Sequence, residues 1–118
     1  MTTLKLIVAG GREFDNYKLL NGALNHLTKN VGAVIVVSGK ARGADNLGER
    51  WAKEHGHIVE EYPADWDKYG KSAGYKRNAL MAKNAGALVA FWDGKSKGTK
   101  HMIDLAKLHG LKVRTIRY

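Results

Sequence analysis

Short apolar runs alternate along the chain with longer stretches in which apolar residues recur every three or four positions. Three of the runs are nearly continuous in Val, Ile, Leu and Ala, a pattern typical of strands buried on both faces of a parallel sheet. Two others alternate apolar with polar residues, which fits strands nearer an edge. Together the runs predict strands at residues 4–9, 33–38, 57–62, 87–92 and 112–116.

The stretches between the strands have helical spacing, with apolar residues that would share one face of each helix. Glycine or asparagine follows each stretch, as expected after a helix C-terminus. The spacing predicts helices over roughly residues 17–27, 44–51, 73–84 and 99–106. This alternation predicts an α/β fold: a single Rossmann-like domain over residues 1–118, with an open, mostly parallel five-stranded sheet and helices on both faces.

The composition narrows the range of partners. The chain has 20 Lys and Arg against 11 Asp and Glu, and the net charge of +9 favours either anionic partners or simply a soluble basic surface. There is no cysteine, which excludes disulfides and cysteine-based zinc sites, and the histidines show no metal-ligand spacing. No apolar run approaches the ~20 residues of a membrane span, and the N-terminal run is too short for a signal peptide. We therefore expect a cytoplasmic protein with no metal, cofactor or membrane partner.

Polar and glycine-rich loops follow the predicted strands at one end of the sheet. In parallel sheets of this kind, ligands bind outside the carboxyl ends of the strands. The connections that lead back from helix to strand are short and ordinary. The sequence thus predicts a ligand site at the carboxyl edge, built from the loops at residues 10–16, 39–45, 63–74 and 93–98.

The first two loops combine glycine with cationic residues. Gly10 and Gly11 would let the backbone approach a ligand closely, and Arg12 would clamp a phosphate through two hydrogen bonds. The alternative is a tight turn with a solvated arginine. The loop at 39–45 would leave amide N–H groups at a helix N-terminus, where an anion is stabilised. Asp45 would either serve as a first-turn helix acid or accept hydrogen bonds from a ribose hydroxyl.

The loop after the fourth strand does not match the common phosphate-binding motifs. Gly94 and Gly98 are one residue too close for a Walker A loop, and Thr99 precedes Lys100 instead of following it. The G-x-G-x-x-G fingerprint of dinucleotide-binding folds is also missing. Two interpretations remain: a turn that presents amides and the Thr99 hydroxyl to an anion, or an ordinary helix cap.

The connection at residues 63–74 and the helix after it contain aromatic and polar residues. Trp66, Tyr69 and Tyr75 would stack on a base or close a lid, or Trp66 would simply pack against the surface. Arg77 and Asn78 would begin the following helix, facing the same site.

The motifs taken together resemble a known family. The segments VAGGREF, VSGKARGAD, YPADWDKYGKSAGYKRN and LVAFWDGKSKGT are similar to those of the cpYpsA-related branch of the SLOG superfamily. SLOG proteins are Rossmann-like and are related to LOG phosphoribohydrolases and to DNA-processing protein A. The resemblance implies a nucleotide or a nucleotide-derived ligand such as a ribosyl phosphate. It carries over to Gly10, Gly11, Arg12, Ser38, Gly39, Arg42, Gly43, Asp45, Arg77, Asn78, Asp93, Gly94, Ser96, Gly98 and Thr99. Lys40 replaces a common glycine of the family and would either add a phosphate contact or close part of the groove.

One departure from the LOG enzymes bears on catalysis. Their P-G-G-x-G-T-x-x-E loop ends in a glutamate that serves N-glycosidic cleavage, and Met102 stands at that position here. Cleavage would then need another acid, with Glu13, Asp45 and Asp93 as candidates.

Three functions remain open at this point. The first is a sensor or sequestering protein that binds a nucleotide-like ligand, and the second is an N-glycoside hydrolase acting on nucleotides. The third is binding of single-stranded nucleic acid, favoured by the net charge of +9. SLOG relatives often dimerise through helices, so the resemblance also implies a homodimer or a higher homo-oligomer.

Overall fold

The computed structural model describes residues 3–118, which build one five-stranded sheet. All neighbouring strands are parallel, and their order across the sheet is β3-β2-β1-β4-β5. The central strand β1 pairs through Ile7 with Val37 on one side and with Leu88 on the other. The strands are β1 (Thr3–Gly10), β2 (Ala33–Ser38), β3 (Ile58–Glu61), β4 (Ala87–Trp92) and β5 (Lys112–Arg117).

The strand predictions are confirmed. The three continuous apolar runs are the three inner strands, and the two alternating runs, β3 and β5, are the edges. An inner strand of a parallel sheet is covered by helices on both faces, so the side chains on both of its faces are buried and apolar. The expected mostly parallel sheet is in fact entirely parallel.

The helices follow the predicted order. The one difference is at residues 63–74, predicted as a loop, where a short helix and a 3-10 turn at Gly70–Ser72 lead into the next helix. Asp65 caps the short helix, because its Oδ1 accepts a hydrogen bond from the backbone N of Lys68 at 3.1 Å. The helices are α1 (Tyr17–Thr28), α2 (Ala44–Glu54), α3 (Trp66–Tyr69), α4 (Ala73–Asn84) and α5 (Lys97–Leu108).

Two apolar cores lie on the two faces of the sheet. Successive side chains of a strand point to opposite faces, so Leu6 and Val8 pack against α1 and α2, while Ile7 and Ala9 pack against α4 and α5. Both faces are therefore covered, as predicted for a Rossmann-like α/β domain. Within residues 3–118, the helices are too short or too polar for any of them to cross a bilayer.

The order of strands across the sheet reverses between the neighbours β1 and β4: from β1 the chain adds β2 and β3 on one side, and it then adds β4 and β5 on the other side. The chain leaves β1 for α1 on one face and leaves β4 for α5 on the other. The loops at the carboxyl ends of these two strands therefore diverge and leave a crevice, which is where such sheets bind ligands.

Candidate functional site

A cleft of about 430 Å³ opens between the loops that follow β1 and β4, and we call it the main cleft. Its walls also include the start of α2 and the first half of α4. Its lining brings together most of the residues predicted from the sequence: Gly10, Gly11, Arg12, Glu13, Asp45, Arg77, Asn78, Asp93, Ser96, Gly98 and Thr99. Met102 lines the same cleft, so an apolar side chain occupies the wall where LOG enzymes would have glutamate.

Two guanidinium groups, those of Arg12 and Arg77, line the main cleft. Burial lowers the pKa of Arg77, and the nearby positive charge of Arg12 lowers it further, against an opposing effect of Asp45. Arg77 is held in place by hydrogen bonds that it donates to the carbonyl of Gly39 and to Oδ1 of Asn78, the latter at 3.0 Å. Among residues 3–118, no carboxylate lies within salt-bridge distance of either guanidinium.

Asn78 explains why Arg77 has a fixed position. Its side chain is buried and its Nδ2 lies 3.5 Å from the carbonyl of Gly98 and 3.2 Å from Nδ1 of His101. The amide therefore ties α4 to the start of α5 while its oxygen accepts from Arg77. Asn78 therefore has a structural role in addition to lining the main cleft.

Asp45 is the buried acid of the main cleft, with a relative exposure of 7%. Its Oδ2 accepts a hydrogen bond from the backbone N of Ala41 at 3.3 Å. Burial raises the pKa of Asp45 to about 6, although the bond from Ala41 and the charge of Arg77 act in the opposite direction. A carboxyl with such a pKa exchanges its proton near neutral pH, which suits general acid–base chemistry.

The loop between β4 and α5 is held by its own side chains. Oδ1 of Asp93 accepts from the backbone N of Lys95 and of Ser96, both at 2.8 Å, and these bonds lower the pKa of Asp93. Ser96 is the N-cap of α5, since its side chain accepts from the backbone N of Thr99 at 3.4 Å, and the two hydroxyls are 3.0 Å apart. The helix cap, which is one of the two interpretations of this loop, is thus present. Thr99 also lines the main cleft.

A second cleft of about 360 Å³ lies beside the first, and we call it the side cleft. Arg12 and Arg77 line both clefts, and the predicted residues Gly39, Lys40 and Arg42 line only the side cleft. The side chain of Arg42 is mostly exposed and pairs with Glu13 at 2.6 Å, so its charge is partly compensated within the protein.

Ser38 and Lys40 belong to a network that the sequence did not indicate. Ser38 is fully buried and donates from Oγ to Oε2 of Glu49 at 2.6 Å. Lys40 pairs with Oε1 of Glu49 at 2.9 Å and with Glu61 at 3.1 Å. Glu49, four residues after Asp45, is therefore used to hold the β2–α2 loop and does not share the main cleft with Asp45. The ammonium of Lys40, predicted as a phosphate contact, already has two carboxylate partners.

The backbone of Lys40 permits a test of this network. Lys40 has a φ of 61°, in the left-handed region that costs a non-glycine residue about 1 kcal/mol. Replacing Lys40 with alanine removes the ion pairs and keeps the strain, whereas replacing it with glycine removes both. We expect both variants to be less stable than the wild type, with Lys40→Gly about 1 kcal/mol more stable than Lys40→Ala. Urea unfolding measures the difference, and equal stabilities would contradict the strained conformation.

Several glycines lie too close to other parts of the chain to carry a Cβ, among them one in each of the loops after β1, β2 and β4. A Cβ at Gly43 would collide with the backbone of Gly11 and Arg12, one at Gly11 with the hydroxyl of Tyr118, and one at Gly94 with Arg117. The end of β5 thus crosses both loops of the crevice. Gly94 serves this packing, and Gly43 serves the contact between the loops after β1 and β2. Gly11 also lines the main cleft.

Tyr118 is one of the lining residues of the main cleft that sequence reasoning missed. It lines the main cleft, and its ring packs at 4.8 Å from that of Phe14. Burial raises the pKa of the Tyr118 phenol, and the negative charges of Asp93 and Glu13 raise it further. Its aromatic pairing with Phe14 joins residues that lie far apart in the chain, so the local pattern contained no sign of it.

A third cleft of about 240 Å³ lies between α3 and α4, and we call it the aromatic cleft. It contains the aromatic side chains predicted at the mouth of the site, except that Tyr69 lies elsewhere. Its lining is Arg12, Trp66, Lys71, Gly74, Tyr75, Arg77, Asn78 and Gly98. Within residues 3–118, no three His, Asp or Glu side chains come together as a metal site would require.

The chain is similar to a protein described as gene 61 protein from Mycobacterium phage D29, with 34% identity over 116 residues that cover 92% of this chain and 93% of that protein. A model of the YspA, cpYpsA-related SLOG family matches residues 4–69, from β1 to α3, and so includes Arg12, Asp45 and Trp66. This chain belongs to the YspA, cpYpsA-related SLOG family.

Proposed function

We propose that this protein binds a nucleotide or a nucleotide-derived ligand of the ribosyl phosphate type in the main cleft, as a sensor or sequestering protein. Membership of the SLOG family is consistent with a nucleotide-related ligand. The position of the cleft at the switch point of a parallel sheet is the usual place for such ligands. The net charge of +9 favours an anion.

The pair of guanidiniums is the observation that carries this proposal. Arg12 and Arg77 lie close enough that the charge of one lowers the pKa of the other, and both line the main cleft. In the empty protein the negative charge of Asp45 outweighs this repulsion at Arg77. A phosphate between the two guanidiniums would accept charge-assisted hydrogen bonds from both side chains.

The rest of the main cleft suits a sugar. Asp45 presents a carboxyl group on the same wall as Arg77. Carboxylate and carboxyl groups accept hydrogen bonds from ribose hydroxyls, and Thr99 adds a hydroxyl from the start of α5. A ribosyl phosphate would therefore meet both cations and hydrogen-bonding groups within the main cleft.

Arg12→Ala tests the proposal. We expect calorimetry to show that affinity for ribose 5-phosphate or a nucleoside 5′-monophosphate falls by about 1–2 kcal/mol, roughly 5- to 30-fold, because a charge-assisted contact is lost. Arg114→Ala is the matched control, since it removes the same charge from the exposed surface of β5 outside the three clefts. Equal losses in the two variants would mean that only the overall charge matters. Wild-type affinity in Arg12→Ala would contradict the site.

A second candidate function is cleavage of the N-glycosidic bond of a nucleotide, and Asp45 is the observation that favours it. Its pKa of about 6 would allow it to act as an acid or a base near neutral pH. Glycoside hydrolysis usually needs two carboxyl groups, and Glu13 and Asp93 line the same cleft. Incubation with each nucleoside 5′-monophosphate, followed by chromatography for free base, separates the two functions. Release of free base by the wild type that is lost in Asp45→Asn would favour the hydrolase. Saturable binding of a nucleotide without release of base would exclude it.

A further inference from the structure

Two aromatic side chains with large exposed areas face the aromatic cleft. Trp66 is 52% exposed and Tyr75 is 48% exposed, although apolar rings of this size are usually buried. Tyr75 meets His101 edge-on, with 4.5 Å between ring centroids. In the part of the chain that the structure describes, no other aromatic ring stacks on Trp66 and no cation lies over it. The indole therefore offers a free aromatic surface at the cleft.

An exposed aromatic ring is not always free to bind a ligand, and Tyr69 is an example. It is 39% exposed, but the ammonium groups of Lys68 and Lys76 lie 5.1 and 4.7 Å from its ring centroid. Its ring is thus already engaged by two cations, and it lines neither the main cleft nor the aromatic cleft. Trp66 differs from Tyr69 both in its position and in having no such partner among residues 3–118.

The aromatic cleft continues into the main cleft. Arg12, Arg77, Asn78 and Gly98 line both of them. The indole and the guanidinium both lie next to Gly74, since a Cβ added there would be in ordinary contact with Cη2 of Trp66 at 3.5 Å and with Nη2 of Arg77 at 3.7 Å. A ligand with a phosphate at the two arginines can therefore extend into the aromatic cleft without leaving the protein.

We propose that the ligand is an intact nucleotide whose base lies in the aromatic cleft, stacked on Trp66. The inference rests on the proposed function and goes beyond it, since it assigns the base its own binding surface and excludes a bare ribosyl phosphate as the preferred ligand. Every nucleobase has a flat π-face, and stacking on an aromatic side chain is favourable whatever the base. Arg12 and Arg77, which line both clefts, would hold the phosphate beside the base site.

The test compares ligands with and without a base. Isothermal titration calorimetry is carried out with ribose 5-phosphate and with AMP, GMP, CMP and UMP, on the wild type and on Trp66→Ala. We expect at least one nucleotide to bind the wild type about fivefold or more tighter than ribose 5-phosphate, and Trp66→Ala to abolish this difference. The affinity for ribose 5-phosphate should be the same in both proteins, because that ligand does not reach the indole.

Three further variants sharpen the result. Tyr69→Ala removes an exposed aromatic ring from the same short helix and should leave nucleotide binding unchanged. Trp66→Phe keeps an aromatic face and should retain most of the preference for nucleotides, while Trp66→Leu keeps an apolar side chain and should lose it. Circular dichroism on heating confirms that each variant is folded, and the leucine variant replaces the alanine variant if the latter is not.

Each other outcome has a distinct meaning. If ribose 5-phosphate and the nucleotides bind equally well and Trp66→Ala has no effect, the base site is wrong while the proposed function stands. If none of these ligands binds the wild type, the proposed function fails and this inference fails with it. If Trp66→Ala weakens only the binding of a single-stranded oligonucleotide such as dT10, the indole serves a nucleic-acid strand and the inference is overturned.

Discussion

Replacing Gly43 with alanine is expected to lower the free energy of unfolding by about 3 kcal/mol or more, the largest effect we expect from a single methyl group in this protein. Gly43 has a φ of 82°, which is unfavourable for any residue with a Cβ. Its added Cβ would also lie 2.8 Å from the carbonyl oxygen of Arg12, and closer still to that of Gly11. These neighbours are backbone atoms of the β1–α1 loop, so they cannot rotate away as a side chain could.

Gly56→Ala is the control for the backbone part of this effect. Gly56 has a similar φ of 73°, but no atom lies within 4 Å of its added Cβ. The substitution should therefore cost only the left-handed conformation, about 1 kcal/mol. Urea unfolding followed by circular dichroism measures both variants. If the two losses were equal, the close contact between the two loops would not exist in solution.

The contact at Gly43 also shows how the fold positions the site. It joins the loop after β2 to the loop after β1 through their backbones, next to Arg12. Because Gly43 has no Cβ, the backbones of the two loops can lie this close to each other. Substitution of Gly43 should accordingly displace the guanidinium of Arg12 as well as destabilise the protein.

Most of the fold could be predicted from the sequence because burial leaves a local pattern. Continuous apolar runs identified the inner strands, and alternating runs identified the edges β3 and β5. The short helix at Trp66–Tyr69 escaped prediction because four residues cannot show a helical period. Its signal was the single cap at Asp65, which looks like any acidic loop residue in the sequence.

The candidate site was predictable only as far as topology determines it. Parallel strands place all their following loops at one edge, so the loops that meet in the main cleft could be named in advance. The sequence could not show which charges are already paired. Lys40 looked like a phosphate ligand and is held by Glu49 and Glu61. Arg77 looked no different, but it lines the cleft and, among residues 3–118, no carboxylate lies within salt-bridge distance of it. Such pairings depend on side chains that meet across elements.

Asp45 should make the stability of the protein depend on pH. Its pKa is about 6 in the folded protein, against an ordinary value of 3.8, because burial disfavours the carboxylate. The folded state therefore binds the proton more tightly than the unfolded state does. The contribution of Asp45 to stability is fully present below pH ~3.8, and it is lost as the pH rises through about 6.

Asp45→Asn is expected to be more stable than the wild type at about pH 7.5, by on the order of 2–3 kcal/mol, and about equally stable near pH 4. Asparagine stays neutral and still offers an oxygen to the backbone N of Ala41, so it imitates the protonated acid. Urea unfolding across this pH range measures the effect, and Asp67→Asn, at an exposed position of α3, controls for the loss of one negative charge. A gain of the same size at both pH values would assign the effect to packing. A loss of stability at the higher pH would mean that Ala41 and Arg77 stabilise the carboxylate more than burial disfavours it.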